Sequence, residues 1–328
     1  MTLRNQGIDQ ISEKLITYLR DRLNDSMIDY DSPLTLLPGG FQTYIYRFKL
    51  NGVREELSKS LILRLYPQFY GTRNAIWESV VQNVLVSEGF PVAQAYFTCT
   101  DMSILGGAFF IMDFLPGKPM MIEPIETIPK MLGKTHAALH SIDPEPLIES
   151  LSEQGIDKHM WRQGILFDWL KEKANERPWI REGVDWLIKN RPPESKRLTV
   201  CHGDFHPLNI LIQDGKVTGV LDWGNFLISD PILDIANTIV VITVAIKHFA
   251  SVLYPSVDWQ LFVEEYLDAY RSKRILDCTH LDYYRVMKSV KSLIQASEGL
   301  KVWRHPLILK DLIEYIQKIT EIQLTISD

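Results

Sequence analysis

The spacing of hydrophobic positions changes several times along the chain, and each change marks an element. Ile8, Ile11, Leu15, Ile16, Leu19 and Leu23 recur at helical intervals and predict an amphipathic helix over 8–24. Residues 34–37 (LTLL) and 44–48 (YIYRF) read as strands on either side of Pro38-Gly39-Gly40, and 60–66 (SLILRLY) as a strand with one arginine inside it. Residues 74–87 are helical and end before the turn Gly89-Phe90-Pro91-Val92. Residues 108–112 (AFFIM) form a strand, and Pro116-Gly117 after it separates a first domain, 1–115, from a second, 116–328. Residues 131–140 (MLGKTHAALH) are helical. Residues 150–195 are polar and helical and carry Trp161, Trp169, Trp179 and Trp186, an aromatic wall or the core of a helical insert. Ile210, Leu211 and Ile212 face Val217, Val220 and Leu221 across Asp214-Gly215, a hairpin turn dipeptide. The apolar run 235–246 contains Asn237, is too short to span a bilayer and predicts a buried helix; the chain reads as helical from there to its end.

Three polar residues flank that hairpin. Asp204 and Asn209 stand five positions apart in VCHGDFHPLNI, and Asp222 follows thirteen positions after Asn209. The Asp-x-x-x-x-Asn spacing is that of a phosphoryl-transfer loop, where Asp accepts the attacking hydroxyl's proton and Asn binds magnesium. Magnesium prefers hard oxygen ligands and takes one or two carboxylates, with phosphates and water completing its shell. Asn209 and Asp222 fit that ligand set, and Asp204 fits the base. Singly, each has a plain structural alternative: Asp204 as a helix cap, Asn209 as a turn residue. The joint spacing, with apolar strands after Asn209 and before Asp222, favours the chemistry.

The stretch resembles the signature of the aminoglycoside phosphotransferase and choline kinase-like superfamily, small-molecule kinases with a protein-kinase-like fold. His202-Gly203-Asp204 resembles the catalytic-loop opening, Asn209 the metal-binding Asn, Leu221-Asp222-Trp223 the second metal motif, and Asp230-Pro231 with Asp234 the acidic pair after it. The resemblance runs over roughly 30–240 and is most specific between 200 and 235. It implies an α+β, bilobal fold: a small N-terminal lobe of antiparallel sheet plus one helix, a mainly helical C-terminal lobe, and ATP bound in a cleft with magnesium. Two departures from protein kinases point to a small acceptor. Gly203 replaces a common Arg, and only seven residues separate Asp222 from Asp230, too few for a long activation loop. The Asp-Phe-Gly and Ala-Pro-Glu triplets are also absent.

Further roles follow from the resemblance. Arg64 takes the place of the nucleotide-binding Lys, and Glu78, eleven residues before Gly89, takes the place of its carboxylate partner. Gly39, Gly40, Gln42 and Thr43 fall where the family has a short nucleotide-covering loop, although Pro-Gly-Gly alone is also an ordinary hairpin. Asp113, Phe114 and Leu115 fall in the segment that holds the purine edge through main-chain groups. His140 is expected to pack beneath the catalytic loop and His202 to be a structural hydrogen-bonder. His206 either reaches phosphate or substrate or braces the loop. His136 and His140 form H-x-x-x-H without the glutamate of a zinc protease, which disfavours zinc. Tyr283, Tyr284, Glu298 and Trp303 are candidates to line an acceptor pocket.

Composition narrows the partners. With 328 residues, 46% hydrophobic and 23% charged, the chain has the make-up of a soluble globular protein. A net charge of −6 gives nucleic-acid binding no support, and an acidic surface favours, without locating, a cationic substrate. Cys99, Cys201 and Cys278 lack metal spacing and read as thiols in a reducing compartment. The polar N-terminus has no signal-peptide core, so a cytoplasmic protein without membrane contact is expected. The expectation is an ATP- and magnesium-dependent phosphotransferase acting on a hydroxyl of an aminoglycoside or macrolide antibiotic, or on choline, ethanolamine, homoserine or a sugar. A non-catalytic nucleotide-binding scaffold and an atypical protein kinase are the alternatives.

Overall fold

The structure, a computed structural model, describes residues 7–38, 43–67, 71–251 and 254–324. The chain forms two compact units. One comprises Met1–Gly117 with Pro146–Gly155 and Leu211–Gly224; the other comprises Lys118–Glu145, Ile156–Ile210 and Asn225–Asp328. The first break falls two residues past the predicted boundary, and the Asp222 segment belongs to the first unit rather than to the Asp204 unit.

The first unit is built on an antiparallel sheet of β1 (Asp29–Leu36), β2 (Tyr44–Asn51), β3 (Ser60–Leu65), β4 (Ala95–Cys99) and β5 (Phe109–Asp113), in the order β1-β2-β3-β5-β4. Side chains alternate between the faces. Leu61, Leu63, Leu65, Phe109 and Ile111 join Ile11, Leu15, Ile16 and Leu19 of α1 (Ile8–Leu23) in one core cluster. Ile62, Tyr66, Phe110 and Met112 join Ala75 of α2 (Gly71–Ser87) in another. Two-residue alternation therefore puts Arg64 on the same side as Ile62 and Tyr66, toward α2. β4 was not among the predicted strands, and β1 starts before its predicted first residue, where Asp29, Asp31 and Ser32 are polar and little is buried.

The hairpin turn Asp214-Gly215 has φ of 52° and 69°, the paired left-handed geometry of a type I′ turn, which glycine adopts without strain. The second hairpin strand, Lys216–Val220, is anchored at its end by Val220 N–H donating to the Pro91 carbonyl, which places Asp222 next to α2.

The second unit is mainly helical. A short antiparallel pair, Thr199–Cys201 with Leu227–Ser229, frames the segment that carries Asp204. Helices Ile128–His140, Trp259–Arg271, Leu281–Ser297 and Pro306–Thr320 surround the most apolar helix, Pro231–Val240, which continues through a π-helical turn, Val241–Ile246, to Ala250. Residues Pro231–Ala250 are long and apolar enough to cross a membrane by length and composition; 72% of the apolar window is buried inside the protein, as predicted for a core helix. Trp161 is buried, whereas Trp169, Trp179 and Trp186 are half-buried, with Trp186 stacked on Tyr283.

Candidate active site

In the second unit, Asp204 sits on a loop held from below by one face of the helix Pro231–Val240. Asp234 Oδ2 accepts the His202 N–H at 2.6 Å and Oδ1 accepts the Gly203 N–H at 2.8 Å. Three and four residues on, Asn237 Nδ2 donates to the Gly203 carbonyl and Thr238 Oγ1 to the Phe205 carbonyl. Positions 234, 237 and 238 lie on one helical face, so a single rigid element fixes the backbone on both sides of Asp204. Gly203 has φ of 80°, and a Cβ there would lie 2.1 Å from the Asn225 carbonyl oxygen. Only glycine fits, which explains why no Arg stands there.

Asp234 is itself buried and fully engaged. His136 Nε2 lies 3.0 Å and His140 Nε2 3.3 Å from its Oδ2. Because an ionised carboxylate only accepts, both rings carry their proton on Nε2. Their Nδ1 atoms then accept from Tyr266 Oη at 2.7 Å and Tyr270 Oη at 3.0 Å. Burial would raise the Asp234 carboxyl, and hydrogen bonds and charge interactions with His136 and His140 overcome this and hold it well below the usual carboxylate range. Burial, then repulsion from His136, pushes the His140 imidazole down to about 3 against the pull of Asp234. The ligand atoms of His136, His140 and Asp234 lie within 4.8 Å of one another, but both histidines are bonded at both ring nitrogens, so this cluster is a hydrogen-bonded brace and zinc is disfavoured here too. His140 thus underpins the loop, as expected. His202 is a structural hydrogen-bonder: its Nδ1 accepts the Asp204 N–H at 3.2 Å.

The Asp204 side chain is 28% exposed and faces basic side chains. His206 Nε2 lies 3.4 Å from Oδ2, and Lys288 Nζ, from the helix Leu281–Ser297, lies 3.7 Å from Oδ1. Burial would raise this carboxyl too; His206, Lys288 and His202 overcome it and keep Asp204 below the ordinary range, ionised at neutral pH. Asn209 Nδ2 donates to the Asp204 carbonyl at 3.0 Å, which fixes the amide and leaves its oxygen as the presented ligand atom. Lys288 was not found from sequence; it lies 84 positions after Asp204 on a helix whose pattern reads only as amphipathic.

In the first unit, Arg64 pairs with Glu78 of α2 at 3.1 Å and with Asp222 Oδ1 at 3.0 Å. The Arg64 and Glu78 side chains are 12% and 3% exposed, whereas Asp222 is 51% exposed. Asp222 has φ of 67°, an uncommon left-handed conformation for a non-glycine residue. Its Oδ1 bonds Arg64 and its exposed carboxylate offers hard oxygen, as does the Asn209 amide, so both residues suit magnesium. Burial raises the Glu78 carboxyl to about 6 despite Arg64. The expected Arg64–Glu78 pair is therefore present, and the Arg64–Asp222 contact is an addition that sequence spacing did not signal.

The remaining predicted residues separate. Gly39, Gly40 and Gln42 lie outside the described residues. Thr43 is buried, and its hydroxyl has no hydrogen-bond partner among the described residues. The N–H groups of Asp113 and Phe114 are committed within the sheet, to the Gln94 and Ser60 carbonyls, and the Asp113 carboxylate pairs with Lys59 and Tyr96. The Leu115 side chain packs where any Cβ on Gly219 would clash. Of the pocket candidates, Tyr283 is buried and donates to the Leu187 carbonyl, Tyr284 is buried, and Glu298 pairs with Lys173 and Arg177. Trp303 is buried beneath Lys288, whose Nζ lies 5.4 Å from the ring centroid.

Known proteins share this arrangement of elements. A macrolide 2′-phosphotransferase from Brachybacterium faecium is 17% identical and superposes with a TM-score of 0.57 over 92% of this chain and 98% of that one. An amicoumacin kinase solved with AMP-PNP and Ca2+ is 16% identical, with a TM-score of 0.58 over 90% of each chain. At this identity the likeness shows the fold: the protein-kinase-like, α+β architecture of these enzymes. Acyl-CoA dehydrogenase family member 11 of Pongo abelii is 27% identical over 253 residues, covering 69% of this chain but 30% of that protein. Residues 33–285 match the phosphotransferase enzyme family, APH, and the chain belongs to it.

Proposed function

We propose that the protein transfers the γ-phosphoryl group of ATP, with magnesium, to a hydroxyl of a small molecule. The observation that carries this reading is Asp204: a partly exposed carboxylate, held below the usual carboxylate range by the basic side chains around it, on a backbone pinned by Asp234, Asn237 and Thr238. Phosphoryl transfer depends chiefly on positioning and charge neutralisation, and a pinned carboxylate meets the first need. Asp204 accepts a hydrogen bond from the acceptor hydroxyl and orients its oxygen. That oxygen forms the new bond to phosphorus, the bond to the bridging oxygen breaks, ADP leaves with the electron pair, and the carboxylate takes the hydroxyl proton.

Arg64, oriented by Glu78, is the proposed partner of the nucleotide phosphates. Asn209 and Asp222 would hold magnesium, which when bound neutralises phosphate charge. The amicoumacin kinase solved with AMP-PNP and Ca2+ supports nucleotide and divalent-metal use by this fold. The acceptor classes to be tested are antibiotic hydroxyls and metabolic hydroxyls. The experiment is a screen of both for magnesium-dependent ADP release, with mass spectrometry of the acceptor. A gain of one phosphoryl group on a small molecule is expected; phosphate appearing only on protein, or no ADP release with any acceptor, contradicts the reading.

A further inference from the structure

The helix Leu281–Ser297 sets the Lys288 ammonium beside the Asp204 carboxylate and carries Lys291 one turn further along the same face. Lys288 is 5% exposed, and its ammonium lies 3.7 Å from Asp204 Oδ1 and over the Trp303 ring. Lys291 follows three residues later, on the same helical face, and is half-buried. Burial, then repulsion from Lys288, lowers the Lys291 ammonium to about 8, against the attraction of Asp204. One carboxylate cannot neutralise two ammonium groups, and His206 adds a third potential donor to the same carboxylate. Excess positive charge in a poorly solvated site is costly unless an anion offsets it. The surroundings of Asp204 thus oppose the cationic substrate that the net charge of −6 favours.

We propose that the acceptor is a hydroxylated acid, bearing a carboxylate or phosphate that Lys288 and Lys291 hold while its hydroxyl meets Asp204. This rests on the phosphotransferase reading above and names its substrate class. An anionic oxygen group beside these lysines has a second source, the phosphoryl group in transit. The two sources differ in a nucleotide-free experiment, where only an acceptor acid is present to bind.

The test is titration calorimetry on the whole protein without nucleotide. The probes are glycerate, 3-hydroxybutyrate and glycerol 3-phosphate, the amides of the first two, glycerol, kanamycin and choline. At least one acid is expected to bind about tenfold or more tighter than its neutral counterpart, with a preference that weakens as salt is added. Lys291→Gln should remove the preference and Lys291→Arg restore it, with melting temperatures matched to the parent; Lys288→Gln provides the second position, and the salt dependence of the parent needs no variant. Several results overturn the proposal: no acid binding, equal or tighter binding of the amides, kanamycin or choline, or an acid preference that survives both glutamine variants. A change confined to ATP-over-ADP preference would assign the lysines to the phosphoryl group and also overturn it. ADP release by the parent with ATP and magnesium separates the two readings: if the phosphotransferase reading alone fails, acids bind the parent but elicit no ADP, whereas ADP release with kanamycin or choline and not with acids sinks the acidic acceptor alone.

Discussion

The two units each hold one charged node, and the nodes have opposite polarity. In the first, a cation, Arg64, stands between two carboxylates, Glu78 and Asp222. In the second, a carboxylate, Asp204, stands between Lys288 and His206. The first node is closed on its buried side, since Glu78 is nearly inaccessible and fixes the guanidinium, and open at Asp222. The second is suspended from the backbone: its carboxylate owes its place to Asp234, which never touches it and instead holds the two preceding amides. One node is built by side-chain pairing and the other by backbone capture. Substitutions should therefore damage them in different ways.

The largest effect on stability is expected at the first node. Arg64→Ala leaves Glu78 buried without its cation, which should cost about 3–5 kcal/mol in chemical denaturation. Glu78→Gln, which removes the charge but keeps the shape, should cost clearly less; equal losses would mean that packing rather than charge sets the node. At the second node, Gly203→Ala places a side chain in left-handed backbone, worth about 1–3 kcal/mol, and drives it into the Asn225 carbonyl. Turnover should fall more steeply than stability, because the displaced segment is the one that carries Asp204.

A pH series probes the brace under that node. The His140 imidazole titrates near 3 in the folded protein against an ordinary 6.5. Between those values the unfolded chain binds a proton that the folded chain refuses, so stability falls as pH drops through this window. This group alone contributes up to about 1.4 kcal/mol per pH unit. His140→Asn should flatten the slope of unfolding free energy against pH by that amount; an unchanged slope contradicts the neutral, buried imidazole. The smallest effect is expected at Gly215, where φ is 69° and a Cβ meets nothing. Gly215→Ala should cost about 1 kcal/mol and leave both nodes working. A large loss of turnover there would mean that the hairpin, and not α2, positions Asp222.

Local chemistry was legible in the sequence, and long-range pairing was legible only in part. The Asp204, Asn209 and Asp222 spacing lies within nineteen residues, and the hairpin between them announces itself through Asp214-Gly215. The Arg64–Glu78 pair was readable through the family resemblance, with Glu78 placed by its spacing before Gly89. The Arg64–Asp222 contact spans 158 positions and has no periodic signature. Lys288 and Lys291 look like the polar stripe of any amphipathic helix, and only tertiary packing brings Lys288 to Asp204. Asp234 was singled out as one of an acidic pair, but its hold on the His202 and Gly203 amides was not legible, and the roles of Asn237 and Thr238 were hidden within an apolar run. The strands Thr199–Cys201 and Leu227–Ser229 are three residues each, too short for alternation to register.

In the proposed reaction Asp204 positions and deprotonates the acceptor hydroxyl while the Arg64 node serves the nucleotide. The most direct measurement compares Asp204→Asn with the parent for nucleotide affinity and for magnesium-dependent ADP release with an acceptor the parent uses. Nucleotide affinity close to the parent's and a loss of turnover of about 10²- to 10⁴-fold are expected. Undiminished turnover in that variant would contradict this role of Asp204.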